Sequence, residues 1–205
     1  PVRPKNMDHE LANPLEYYRT TMSALARLAA AHKSGALSPQ AEALFPFDAD
    51  AAVRAIPIPW DEVQMREKAR ALADFATRHP QLFPENVASA QFLARFEEES
   101  VRFRRHEGRI RRFLHADPDF IALTHWNTHL DNAWFWRDAA GALHCGLLDW
   151  GMVRQMNLAY GIWGGVSAAS LDFWDPHLDG LLLHYASEFH AHGGPLLDPA
   201  DLQLH

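Results

Sequence analysis

Two short stretches hold the residue types on which chemistry could be built. Residues 124–132 read THWNTHLDN, with His125 and His129 four apart, an amide at Asn127, and the neighbouring Asp131 and Asn132. Residues 147–151 read LLDWG, with Asp149 at the centre. Two chemistries fit these types. Imidazoles at i and i+4 bind a transition metal from one face of a helix, so His125 and His129, with Asp131 or Asp149 as third ligand, would make a metallohydrolase site. An Asn carbonyl and an Asp carboxylate instead suit a hard cation such as Mg2+, whose shell water and phosphate oxygens complete. The first site needs 125–129 to be helical. The second needs Asn132 and Asp149 to meet.

A hairpin supplies that meeting. AWFWR (133–137) and LHCGLL (143–148) flank the turn-like DAAG (138–141). A turn centred near Ala139 and Ala140 sets Asn132 opposite Leu147, with Asp149 one or two rungs further out. Side chains opposed at a hairpin's open end lie within roughly 5–8 Å of each other. FIALT (120–124) is short, apolar and β-branched, and predicts a strand leading into the loop. Strand-like residues therefore flank 125–132 on both sides, which weighs against the helix that the two-histidine site requires.

Most of the remaining chain shows helical spacing. LEYYRTTMSALARLAAAHK (15–33) places Leu15, Tyr18, Met22, Leu25, Leu28 and Ala29 on one face, and Gly35 follows as a stop. Residues 36–59 carry Pro39, Pro46, Pro57 and Pro59 and read as a long loop with room for one helical turn. WDEVQMREKARALADFATRH (60–79) opens acidic and ends basic, as the helix dipole favours, and Pro80 terminates it. A further helix over 85–115 puts Phe92, Phe96, Phe103, Ile110 and Leu114 on one face. Its basic half, VRFRRHEGRIRR, reads as a solvated face with nearby acids and not as an RNA site. NLAYGIWGGVSAASL and PHLDGLLLHYASEFHAHGG return to helical periods, and Asp198-Pro199 looks like the start of another helix. The expected fold is mainly α with a small β-hairpin element (α+β), in one domain. Its segments are a linker at 1–14, helices and a long loop at 15–118, a strand, catalytic-type loop and hairpin at 119–151, and C-terminal helices at 152–205.

Composition narrows the function classes. A formal net charge of -7 opposes a dedicated nucleic-acid binder, which needs a basic face. The single cysteine, Cys145, allows no internal disulfide, no charged-then-apolar leader opens the chain, and no apolar run approaches a membrane span. A soluble, cytoplasmic protein without membrane or nucleic-acid partners is expected. Burial in a core accounts for most of the tryptophans, while Trp163 and Trp174 are candidates for an aromatic-walled acceptor pocket.

A loop Asn after a strand, an antiparallel hairpin and then Asp-aromatic-Gly is the layout of a kinase catalytic loop followed by its metal-binding Asp. THWNTHLDN, LLDWG and NLAY (157–160) resemble, in order, the H-G-D-x-H-x-x-N, I-D-W/F-G/Q and D-L-A-Y patterns of the aminoglycoside phosphotransferase and choline kinase-like families. ALARLAAAHKSG also looks like the helix that opens the C-terminal lobe of those families. The resemblance implies the helical C-terminal lobe of a protein-kinase-like fold that transfers the ATP γ-phosphate to a small-molecule hydroxyl. It implies Mg2+ on Asp149 and Asn132, His125 as the scaffold of the loop, and His129 as the family's second histidine. Asp172, Asp175 and Asp179 fall where family members contact the acceptor.

Three departures qualify that picture. Asn127 stands at the position of the catalytic aspartate, and an amide orients a hydroxyl without serving as its base. Trp126 replaces the family's Gly, and Asn157 replaces the Asp of D-L-A-Y. The metal pair is intact while two carboxylates have become amides, so a pseudokinase-type module that binds nucleotide without turnover is the alternative; Asp131 is a conceivable substitute base. The β-rich N-terminal lobe that covers the phosphates is also missing from the pattern: no glycine precedes Gly35, and only Lys5 and Lys33 precede the first loop. These residues therefore read as a piece of a longer protein, inactive as a fragment, whose N-terminal lobe is its first partner.

Overall fold

The computed structural model describes residues 7–54 and 57–205, which are mainly helical with a small antiparallel strand element, as an α+β reading requires. Of the expected linker 1–14, residues 1–6 lie outside the described residues, and Asp8–Glu10 forms one 3-10 turn. Contacts divide the chain into two units, Pro1–Asp48 with Leu114–His205, and Ala49–Phe113.

The first unit is organised by helix α1 (Pro14–Lys33), where Tyr18, Thr21, Met22, Leu25, Ala26, Ala29 and Ala30 are all buried. That is the i, i+3, i+4 stripe of a core-facing helix. The structure adds Ala26 and Ala30 to the expected face and leaves Leu28 half-buried. Gly35, at φ +68°, takes the left-handed conformation that ends the helix. The short helix α2 (Pro39–Ala43) follows.

The second unit opens with helix α3 (Ala49–Arg54), so the proline-rich stretch holds two short helices where a loop with one helical turn is expected. Helix α4 (Glu62–Arg78) begins in a capping box, Asp61 accepting from the Gln64 amide while the Gln64 side chain accepts from the Asp61 amide, and ends before Pro80. The single helix expected over 85–115 is instead α5 (Glu85–Ala88) and α6 (Ala90–Leu114). Ser89 divides them because its backbone is extended and its hydroxyl accepts from the Phe92 amide, a cap that starts a new helix. The buried positions of α6 are Leu93, Val101 and Glu107, whereas Phe92 and Phe103 are exposed, contrary to the expected phenylalanine face. Arginines of α4 and of the basic run are held by acids within this unit. Arg66 and Arg70 bind Glu97, Arg105 binds Glu62, and Arg104 and Arg111 converge on buried Glu107, which also accepts from the Ile58 amide.

Back in the first unit, β1 (Ile121–His125) leads into the loop, β2 (Ala133–Arg137) and β3 (Leu143–Leu147) form the hairpin, and β4 (Val153–Asn157) returns to pair with β1. Both pairings are antiparallel, with Ala133 opposite Leu147 and His125 opposite Val153. Asn132 is thus aligned with Leu148, one residue beyond the expected partner. At the turn, Asp138 accepts from the Ala140 and Ala142 amides. Strand β4 falls in a region expected to be helical. Helices α7 (Leu158–Val166), α8 (Leu171–Ala191) and α9 (Pro199–Leu204) complete the unit, α9 starting at Asp198-Pro199 as expected. Leu158, Ile162, Val166, Leu181, Tyr185 and Phe189 join the α1 stripe in one core. Among the described residues no helix is long and apolar enough to cross a membrane.

The α1–α8 seam carries a pH-sensitive group. Arg19 donates to His184 Nδ1 (3.3 Å), so the His184 proton sits on Nε2, which faces Ser23 Oγ (2.8 Å) and the Arg19 carbonyl (3.2 Å). Burial, and then the Arg19 charge, lower the proton affinity of His184 against an opposing pull from Glu188. Burial lowers that of His205 as well. The unfolded chain therefore binds more protons below the ordinary histidine range of about 6.5, so stability is full above that range and falls as pH drops through it. Urea midpoints are expected to be lower at acid pH than at neutral pH, and His184→Gln to shrink the difference. An unchanged difference in His184→Gln would remove this residue from the account.

Candidate functional site

The loop 126–132 and the turn at 148–152 leave the same ends of the two strand pairs, and the hydrogen bonds between them converge on one residue. The Leu148 amide donates to the Asn132 carbonyl (2.7 Å), and the Leu148 carbonyl accepts from His125 Nε2 (2.8 Å). The residue immediately before Asp149 is thus clamped from both sides. His125 ends β1, is fully buried, and accepts from the Asn127 amide on Nδ1 (3.3 Å). One nitrogen accepting and the other donating fixes the tautomer as Nε2–H. The Trp150 ring meets the His125 ring edge-on, and its Nε1 donates to the Leu147 carbonyl (2.9 Å).

These contacts orient the Asn132 amide and hold the backbone that carries Asp149. Asn132 Nδ2 donates to the Asn127 carbonyl (2.8 Å), which leaves Oδ1 as the atom available for a cation. Asp149 is exposed and has φ 58° and ψ 57°, the one non-glycine residue with positive φ among those described. Asp tolerates this left-handed conformation better than most residues, and an outlier held by its neighbours is common at functional sites. Asn127 offers its backbone N–H and C=O to the clamp, and its side chain makes no hydrogen bond within the described residues. His129 is half-buried, with Nδ1 unpartnered there, as is Trp126 Nε1. His125 joins the loop to the turn through both ring nitrogens.

The structure does not offer the two-histidine metal site. His125 lies at a strand end with both ring nitrogens engaged, and 126–129 are irregular, so the two imidazoles share no helical face. Among the described residues no group of three His, Cys, Asp or Glu is placed to hold a metal ion. A site built on Asn132 and Asp149 belongs to a different class, in which one carboxylate and one carbonyl suffice because water and phosphate supply the remaining oxygens. Thiol chemistry has little support, since burial raises the proton affinity of Cys145, whose Sγ donates to the Thr20 carbonyl (3.6 Å).

Residues outside the motifs seat the loop. Gly161, Gly164 and Gly165 share one face of α7. A methyl at Gly161 would collide with Thr124 Oγ1, at Gly164 with the Trp126 carbonyl, and at Gly165 with the Met22 methyl. Thr128, fully buried, donates to the Gly161 carbonyl (3.3 Å). The i, i+3, i+4 glycine spacing in GIWGG is the sequence signal for this seat, and it reads equally as loose helix without the partner. Asn157 has a structural use for its amide: Oδ1 caps α7 at the Ala159 amide (2.9 Å), while Nδ2 donates to the Leu114 carbonyl (2.7 Å) and faces His205 Nδ1 (2.6 Å). A carboxylate could cap but could not donate.

Compared with known proteins, the chain matches no family model, no curated protein and no solved structure.

Proposed function

We propose that the unit containing β1 to β4 is the metal- and phosphate-handling half of an ATP-dependent small-molecule phosphotransferase-like protein, the C-terminal lobe of a protein-kinase-like fold. The observation that carries this reading is the Leu148 clamp, which ties the loop bearing Asn132 to the left-handed turn bearing Asp149. Asn132 Oδ1 and the Asp149 carboxylate are the groups that would hold Mg2+, and both are oxygen donors of the kind that ion prefers. A magnesium ion there would neutralise charge on the phosphate oxygens of ATP. Asn127 can orient an acceptor hydroxyl through its amide, but it takes no proton at neutral pH. These residues therefore bind a nucleotide–metal complex and transfer phosphate poorly, and a purely nucleotide-binding module is the second reading, favoured by that same amide.

The test is calorimetric titration of Mg-ADP into the full-length protein. Asp149→Asn is expected to weaken magnesium-dependent binding at least ~tenfold, a loss of about 1.4 kcal/mol. Binding that survives EDTA, or that Asp149→Asn leaves intact, refutes the site. Asn127→Asp then separates the readings: a gain in turnover supports an impaired phosphotransferase, and none supports a binding module.

A further inference from the structure

Helix α7 has a second face. Successive helical residues turn by about 100°, so Ala159, Trp163 and Val166 lie opposite the glycines that receive the loop. Between this face, α8 and α9 the first unit forms a pocket, open on one side to solvent, of about 330 Å³. Its sides are aliphatic, from Ile162, Leu178 and Leu182 among others. At one wall the Trp163 and Trp174 rings meet edge to face, with centroids 5.5 Å apart, and Trp174 is fixed by an Nε1 bond to the Val166 carbonyl (3.1 Å). Asn157, His205 and Gln203 also line it; the Asn157 amide is engaged by Leu114, Ala159 and His205, and exposed Gln203 is the polar side chain that faces a ligand.

We propose that this cavity is a binding site for a neutral, mainly apolar small molecule carrying one flat ring and one hydrogen-bonding group. Size and lining both fit that class: small-molecule sites begin near 300 Å³, with apolar and aromatic walls and a few convergent polar groups. The absence of charge selects a neutral ligand. No Asp, Glu, Lys or Arg lines the cavity, and burial disfavours the charged form of His205. Trp163 is 56% exposed and Tyr160 39%, so ring surface stands uncovered at the lining where a flat ligand would stack. The acceptor pocket expected from Trp163 and Trp174 is thereby reassigned: the two indoles do share a pocket, but it lies across α7 from the loop. The site does not rest on the phosphotransferase reading.

The probe is 2-naphthol, uncharged at neutral pH, measured by equilibrium dialysis against the whole chain. Saturable one-to-one binding is expected, weakened at least ~tenfold, or about 1.4 kcal/mol, by Trp163→Ala and by Ala159→Phe, which fills the cavity. Trp134→Ala, which removes a comparably exposed indole elsewhere, should leave binding unchanged. Naphthalene-2-sulfonate, the same ring with a fixed charge, should bind at least ~tenfold more weakly because burying an unpaired charge is costly. Circular dichroism confirms folding of each variant. If Ala159→Phe unfolds the chain, Trp163→Ala decides, since an exposed indole contributes little to the core. Unsaturable binding, equal loss in Trp134→Ala, insensitivity of binding to Trp163→Ala, or equal affinity for the sulfonate overturns the proposal.

Discussion

Gly164→Ala is expected to destabilise the protein by about 3 kcal/mol, the upper end of what overpacking costs. The reason is the identity of the atom in the way. A methyl at Gly164 lands on the Trp126 backbone carbonyl, which cannot swing aside as the end of a flexible side chain would. That carbonyl belongs to the loop whose next residues are Asn127 and Thr128, so relief requires lifting the loop off α7. The Thr128 bond to the Gly161 carbonyl would stretch with it. Helix propensity works in the opposite direction, since alanine is favoured over glycine by about 1 kcal/mol, and any net loss therefore understates the steric term. Gly180→Ala in α8 is the matched control. Beyond its own stretch of helix nothing lies within 4 Å of its added methyl, so it should gain roughly 0.5–1 kcal/mol. Urea unfolding of the two variants beside the parent measures both. Equal stability of Gly164→Ala and Gly180→Ala would mean that the loop is not seated on this helix.

The contrast between those two glycines also marks what the sequence makes legible. Local periodicity exposes α1, because Tyr18, Met22, Leu25 and Ala29 repeat at helical spacing and the spacing itself creates the buried stripe. The hairpin is legible for a similar reason: DAAG sits between two runs of strand-forming residues, and the turn and both strands are neighbours in the chain. Strand β4 fails both tests. It is five residues long, its partner β1 lies on the far side of the hairpin, and Met156 and Asn157 are buried in succession, which breaks the alternation that identifies a strand. The break at Ser89 is hidden because a serine reads as an ordinary surface residue of a helix until its hydroxyl is seen capping Phe92. At the candidate site, residue types point to Asn132 and Asp149, whereas the residue that joins them, Leu148, acts only through its backbone. Backbone partners leave no trace in residue identity.

Replacing His125 probes that backbone junction directly. His125→Ala should cost about 4 kcal/mol, combining the cavity left by a fully buried ring with loss of its bond to the Leu148 carbonyl. Two further substitutions separate the roles of the ring nitrogens. Glutamine can place an N–H near the position of Nε2 and retain the bond to the Leu148 carbonyl, while asparagine can place an oxygen near Nδ1 and retain the bond from the Asn127 amide. If the scaffold works mainly by holding the turn before Asp149, His125→Gln should recover more stability than His125→Asn. Amide exchange at Leu148 supplies the readout that a merely space-filling role would not move. That amide is bonded to the Asn132 carbonyl, and it should exchange faster in His125→Asn than in His125→Gln, because loss of the Leu148 carbonyl contact loosens the residue from its other side. Equal exchange in the two variants would show that the hairpin alone fixes Leu148, and that the histidine shapes the loop without positioning Asp149.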